Sequence, residues 1–259
     1  MALYFNVENL RPSYEYVLWI DIMGTKNFLL ESDLKAANYI CKFHAAVLGG
    51  VLDKPSISLY PMMDGVYITC PDFNLMIQQI NHVFIQLSEL LLASNDRFSF
   101  LVRGSLAYGP VYHGKNIEPE MNRLLATQKN YSGKILVGLP LEQAYKTEHL
   151  APPMGVYVHE SARSPRGMPP LKAIWQRWFW KVIADEKIDA ISKKVCAYFD
   201  FCQSRIIESQ YDQTRLKLHR NMFEEYFVHD YTKKAKREES LCPPTPYSPT
   251  PPSPATPTA

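Results

Sequence analysis

Residues 14–28, YEYVLWIDIMGTKNF, restrict the fold more than any other stretch. Residues 14–22 are β-branched, aromatic or aliphatic apart from isolated acids, the composition of a buried strand. Side chains alternate along a strand, so Asp21 shares a face with Val17 and Trp19. A carboxylate at that place is costly unless it has a partner. Gly24 then opens a loop. A second acid, Asp64, sits within residues 56–70, SISLYPMMDGVYITC, which read as a strand (56–61), a tight turn (62–65) and a returning strand (66–70). The expectation is that the fold brings Asp21 and Asp64 together.

Two helical patterns separate these strands from the next. Ser32 or Asp33 can cap the first, whose apolar positions Leu34, Ala37, Ile40, Cys41, His44, Val47 and Leu48 follow helical spacing, with Gly49-Gly50 as the stop. Asp72 caps the second, with Leu75, Ile80, Val83, Phe84, Leu87, Leu90 and Leu91 on its core side and Asn95-Asp96 at its end. Residues 98–108 form another strand. The order β-α-β-β-α-β predicts an α+β fold with a ferredoxin-like core, its first and third strands central and adjacent. That pattern serves many unrelated functions. After a polar loop (113–131) come a short strand (134–137), a helix (138–149) with Leu141, Ala144, Tyr145 and Glu148 in register, a strand (154–159) and a linker (161–170).

The expected organisation is a catalytic domain over residues 1–165, a helical part over 166–231, and a tail over 232–259. The helical part is too apolar to stand exposed, so it packs on the sheet domain or on a second copy of the chain. Residues 243–259 carry eight of the chain's 20 prolines among Ser and Thr, a composition that buries too little to fold. The PxxP stretch at residues 243–246 is of the kind a proline-reading domain binds as an extended helix. Trp175, Trp178, Phe179 and Trp180 are expected to wrap a helix and pack on the sheet domain or its partner.

Several classes fall away on composition. A net charge of +2 gives no electrostatic footprint for nucleic acid or an anionic membrane. No window resembles a membrane span. Five cysteines without CxxC spacing, and an N-terminus without a secretion pattern, point to a reducing, cytoplasmic setting. The seven histidines form no i, i+4 pair and read as structural or surface residues, His44 as a core histidine. No GxSxG occurs.

Two carboxylates at neighbouring strand ends beside a glycine loop are the arrangement that holds paired divalent metals, and Mg²⁺ suits such oxygen donors. The backbone amides of Ile22, Met23, Gly24 and Thr25, running toward a helix start, can cradle a triphosphate. The plainer alternatives stay open: Asp64-Gly65 equally closes a hairpin turn, and Asp21 equally caps a loop or pairs with Arg103.

Four stretches resemble a known family. WIDIMGTKNF resembles the opening FxDIxGF of class III nucleotide cyclases, PMMDGVYITCP their GDGxxxxxP hairpin, RGSLAYGPVYHG their RxGIxxGxVxxG strand, and GLPLEQAYKTE their GxxVNxAxRxE helix. They occur in family order over residues 14–159. The resemblance implies the class III cyclase fold, with Asp21, Ile22 and Asp64 holding two divalent cations, Mg²⁺ or Mn²⁺. It implies attack of a nucleoside triphosphate's 3′-hydroxyl on its own α-phosphate, in a homodimer whose sites are built from both chains.

The departures are informative. Glu142 stands at the family's transition-state asparagine and Lys146 at its arginine. Tyr60 and Ile135 replace the two purine-reading positions, and Ile135 cannot accept an adenine amino proton. The chain is most similar to the Pycsar pyrimidine cyclases of bacterial anti-phage defence, in Tyr60, in the Arg103-Gly104 pair and in the helix at 138–148. This implies CTP or UTP as substrate, with Tyr60 contacting the base and Arg103 the base or a phosphate. The alternatives for these two are a core tyrosine and a structural Arg–carboxylate pair. Met63 and Gly65 stand where serines are usual in that branch. The rival readings are a degenerate cyclase module that binds nucleotide or dimerises without catalysis, and a polymerase-like or GGDEF-type enzyme, whose signature is missing.

Overall fold

Strand β1 (Ser13–Ile22) lies in the middle of the sheet, hydrogen-bonded on both edges. Its sequence explains the position. Tyr16, Leu18, Ile20 and Ile22 enter the main hydrophobic core, while Val17 and Trp19 enter a second cluster on the opposite face. A strand apolar on both faces needs cover on both sides. This computed structural model describes residues 5–95, 98–164, 173–179, 182–205, 209 and 211–228.

From β1 the chain runs through α1 (Thr25–Glu31), α2 (Asp33–Gly49), β2 (Ser58–Met62), β3 (Gly65–Cys70), α3 (Phe73–Ala93) and β4 (Val102–His113). These four strands lie in the order β2-β3-β1-β4, every pair antiparallel. The fold is α+β with the expected βαββαβ core. In register, Asp21 faces Gly65 on one side and Arg103 on the other.

The second half adds α4 (Arg123–Thr127), α5 (Lys129–Ser132), β5 (Leu136–Val137), α6 (Leu139–Thr147), β6 (Val156–Val158), α7 (Glu160–Arg163), β7 (Trp175–Gln176), α8 (Asp185–Ser204) and α9 (Gln213–Val228). Strand β6 runs parallel to β4, β7 pairs antiparallel with β6, and β5 pairs with the far end of β4. Helix α6 covers the second face of the sheet, where Ala144 packs with Val17, Trp19, Ala107 and Val111.

Several expectations need correction. A separate helix α1 follows Gly24 directly and precedes the one expected from Ser32 or Asp33. In α2 the buried residues are Ala36, Tyr39, Phe43 and Val47, whereas Leu34 and Leu48 are 82% and 66% exposed. The aromatic rings decide the phase, because Tyr39 and Phe43 bury more surface than the two leucines could. The "polar loop" after β4 contains α4 and α5, and the start of the expected linker forms α7. Trp175 lies in strand β7, not on a helix, while Trp178 and Phe179 are fully buried. Trp180, residues 165–172 and the proline-rich tail lie outside the described residues.

The C-terminal helices pack on the chain's own sheet domain. Ile188, Val195 and Phe199 of α8 and Phe223, Tyr226 and Phe227 of α9 share one core with Val83 and Phe84 of α3. Trp178 joins the parts: its ring packs on Phe84 at 5.5 Å between centroids, and its indole N–H donates to the Met154 carbonyl at 2.8 Å. Trp178→Ala is therefore expected to cost about 3–5 kcal/mol in urea unfolding, with sheet and helices lost in a single transition. Separate transitions for the two parts would contradict the shared core.

Candidate active site

The two acids meet where β1 ends against the β2–β3 hairpin. The backbone N–H of Ile22 donates to the Asp64 carbonyl at 3.1 Å, which ties the hairpin tip to the residue after Asp21. Gly65 is required for this approach, because a Cβ there would lie 2.2 Å from Cη2 of Trp19. The two-residue turn is Met63-Asp64, and Met63 takes a positive φ of 44°. That conformation costs a non-glycine residue on the order of 1 kcal/mol, so something must hold it. His44 of α2 does so: its Nε2 lies 2.8 Å from the Met63 carbonyl, to which the ring N–H donates. His44 is thus a half-buried clamp on the turn that carries Asp64, not a core histidine. Sequence reasoning missed this role, since nothing local ties a helix histidine to a hairpin 19 residues later.

Asp21 is electrostatically unusual. Its Oδ1 is buried and has no hydrogen-bond partner among the described residues. Its pKa is pushed up to about 8, by burial first and then by the Glu148 carboxylate, with Arg103 opposing and Asp64 adding to the rise. Arg103 is occupied with Glu148: its Nε pairs with Oε2, and Nη2 donates to Oε1 at 2.9 Å. Burial raises the Glu148 pKa, against the pull of Arg103. Two acids therefore flank Asp21, while the nearby cation is bound by one of them.

This arrangement fits a divalent cation. A buried, unpartnered carboxylate oxygen beside a second carboxylate is the hard-oxygen donor set that Mg²⁺ and Mn²⁺ take. The Ile22 carbonyl accepts from Thr25 Oγ1 at 3.2 Å and keeps a second lone pair. Among the described residues no group of three or more His, Cys, Asp or Glu is placed to hold a metal. The remaining ligands would come from backbone, water and substrate phosphate, as is common for Mg²⁺.

Two of the four amides expected to cradle phosphate are already engaged. Ile22 N–H is engaged by Asp64, and Met23 N–H donates to the Leu101 carbonyl at 2.8 Å. Sheet-like pairing continues past Asp21 and takes these two donors, which leaves Gly24 and Thr25 of the four expected. Gly24 itself sits at φ +82°, the left-handed conformation suited to glycine.

The structure does not bring Tyr60 to the two acids. Tyr60 pairs with Tyr67, which faces Trp19, so it lies two residues along and two strands over from Asp21, roughly 12 Å by strand geometry. It is 5% exposed, and its hydroxyl meets His113 Nδ1 at 2.6 Å; His113 Nε2 in turn meets Glu15 Oε1 at 2.8 Å. Burial would raise the Glu15 pKa, but hydrogen bonds led by that from His113 outweigh it and hold it low. Sequence reading placed His113 in a polar loop, because its two partners are 53 and 98 residues away. Ile135 lines an apolar cleft of about 520 Å³ with Leu10, His113 and Val137. Glu142 and Lys146 pair with each other at 2.6 Å on the exposed face of α6.

No protein-family model and no curated protein matches the chain. Among solved structures, the monomeric guanylyl cyclase domain of the RhoGC fusion protein from the aquatic fungus Blastocladiella emersonii is similar over 59% of this chain and 84% of that one, at 15% identity and a TM-score of 0.38. The non-canonical dimeric guanylyl cyclase domain of the same fusion protein is similar over 58% and 81%, at 14% identity and a TM-score of 0.39. Likeness this slight assigns no activity. No described helix is long and apolar enough to cross a membrane.

The raised pKa of Asp21 has a sign that melting can read. Its folded value lies above its unfolded value, so its contribution to stability is fully present below about pH 4 and is lost as pH rises toward about 8. In the metal-free protein, thermal stability should fall across that window, and Asp21→Asn should flatten the fall. Mn²⁺ should raise the melting temperature of the wild type near the top of the window and leave the variant unmoved. An unchanged pH slope in the variant would remove Asp21 as the titrating group.

Proposed function

We propose that the chain is a nucleotide cyclase that converts a pyrimidine nucleoside triphosphate, CTP or UTP, to its 3′,5′-cyclic monophosphate and pyrophosphate. The observation that supports this best is the unpartnered, buried Oδ1 of Asp21 beside Asp64. Asp21, Asp64 and the Ile22 carbonyl would hold two divalent cations. When bound, these supply charge neutralisation at the phosphates and lower the pKa of the attacking hydroxyl. The chain's own residues position the substrate. The Gly24 and Thr25 amides face the phosphates, and His44 keeps the Asp64 turn in place. In the reaction the 3′-oxygen forms a bond to the α-phosphorus, the bond to the β-phosphate oxygen breaks, and pyrophosphate carries off the displaced proton.

Pyrimidine preference is supported by what the base would meet. Ile135 offers no side-chain acceptor for an adenine amino group, and the Tyr60–His113–Glu15 chain replaces a lysine. Tyr60 would act on the base from this relay, and Arg103 from its pairing with Glu148. A homodimer with sites completed across its interface, a cytoplasmic setting and a messenger role in anti-phage defence follow from the resemblance and stand as part of the proposal. One observation favours a second reading, a module that binds nucleotide without turning it over. Glu142 and Lys146, at the positions of the transition-state asparagine and arginine, neutralise each other at the surface.

Turnover of each of the four nucleoside triphosphates with Mn²⁺, wild type beside Asp64→Ala, separates the two readings. Cyclic CMP or cyclic UMP from the wild type, falling at least about 100-fold in the variant, is the expected result. A purine product would retain the cyclase and discard the pyrimidine argument. Binding without product from any nucleotide would leave the module.

A further inference from the structure

The cleft beside the Gly24 turn is closed by the C-terminal helices and not by the sheet domain alone. It has a volume of about 180 Å³, and the core lines it with Gly24, Asn27 and Arg103 while the C-terminal part contributes Tyr211, Arg215 and His219. That volume is below that of a pocket for a whole drug-sized ligand and suits part of one. We propose that Arg215, at the start of α9, binds the polyphosphate of the substrate, with His219 and Asn27 beside it. This deepens the reading of the site as one that takes a nucleoside triphosphate, and rests on it.

The charges in the cleft point to an anion. Arg103 is held by Glu148, so it brings little net charge. Arg215 is exposed, and its guanidinium forms no ion pair among the described residues. The acid at the rim, Asp212, is engaged as the helix cap, accepting the Arg215 backbone N–H at 2.8 Å. The Tyr211 hydroxyl lies 2.6 Å from His219 Nδ1. Burial lowers the pKa of His219 to about 4, helped by the positive charges of Arg103 and Arg215. A neutral imidazole that accepts from tyrosine at Nδ1 carries its proton on Nε2, which becomes a second donor for a phosphate oxygen. A guanidinium fork suits such oxygens geometrically as well as by charge.

The test uses the full chain and inorganic tripolyphosphate as probe, titrated calorimetrically without metal. Arg215→Ala should weaken binding about 10- to 100-fold, the loss of one or two charge-assisted hydrogen bonds. Arg215→Lys should recover part of it, and Lys217→Ala, on the same helix outside the cleft, should stay within about twofold. A thermal melt establishes that the variants are folded. Wild-type protein that fails to bind the probe, an Arg215→Ala constant within about twofold of wild type, or an equal loss in Lys217→Ala would each overturn the inference. Nucleotide turnover separates this from the reading beneath it. Arg215-dependent probe binding without any turnover keeps the anion cleft and removes the cyclase; turnover whose KM ignores Arg215 does the reverse.

Discussion

Everything at the candidate site depends on one costly placement, the Asp21 carboxylate at the end of a strand buried on both faces. A buried carboxylate is stable there only if it is protonated, hydrogen-bonded or paired with a cation. The sheet offers Oδ1 no partner among the described residues, and the nearest guanidinium is already bound to Glu148. The surrounding structure adds the charges of Glu148 and Asp64, which raise the cost of ionising Asp21 against the pull of Arg103. Such a site resists ionisation until a cation arrives, which links folding, proton uptake and metal binding at a single residue.

The second acid is held by a chain of constraints that begins far from it. Aromatic burial sets the rotation of α2, and that rotation brings His44 to the Met63 carbonyl. Trp19 lies where only a glycine can pass, so β3 starts at Gly65 and the turn tightens onto Met63 and Asp64. The Ile22 amide then joins the turn to β1. Strain at Met63 is tolerated because contacts on both sides over-determine it. On the other side of the loop, the C-terminal helices share the core of the sheet domain, so the wall they form beside Gly24 is part of the folded unit.

The strand order was legible because its signals are local. Alternation in β1, an Asp-Gly turn between two short strands and capped helices at Ser32 and Asp72 are each read within a few residues. The α2 face was misread because leucines and aromatics compete for the same helical spacing, and area decides between them. Helix α1 and the small helices after β4 were missed because helices of four to seven residues leave almost no periodicity. At the site, both acids and the glycine could be picked out, since their cost or conformational need shows in sequence. The roles of His44, His113 and Glu148 could not, because each acts through a partner 19 to 98 residues away. The amides of Ile22 and Met23 looked available only because pairing beyond a strand end is a tertiary event.

The most direct test is diffraction from crystals grown with Mn²⁺ and a non-hydrolysable nucleoside triphosphate, with data collected at the manganese absorption edge. Anomalous density between the carboxylates of Asp21 and Asp64, with Asp21 Oδ1 as a ligand, is the predicted result. Ordered nucleotide with no manganese at these two residues, and Asp21 Oδ1 instead hydrogen-bonded to protein or water, would contradict a metal site there and the chemistry built on it.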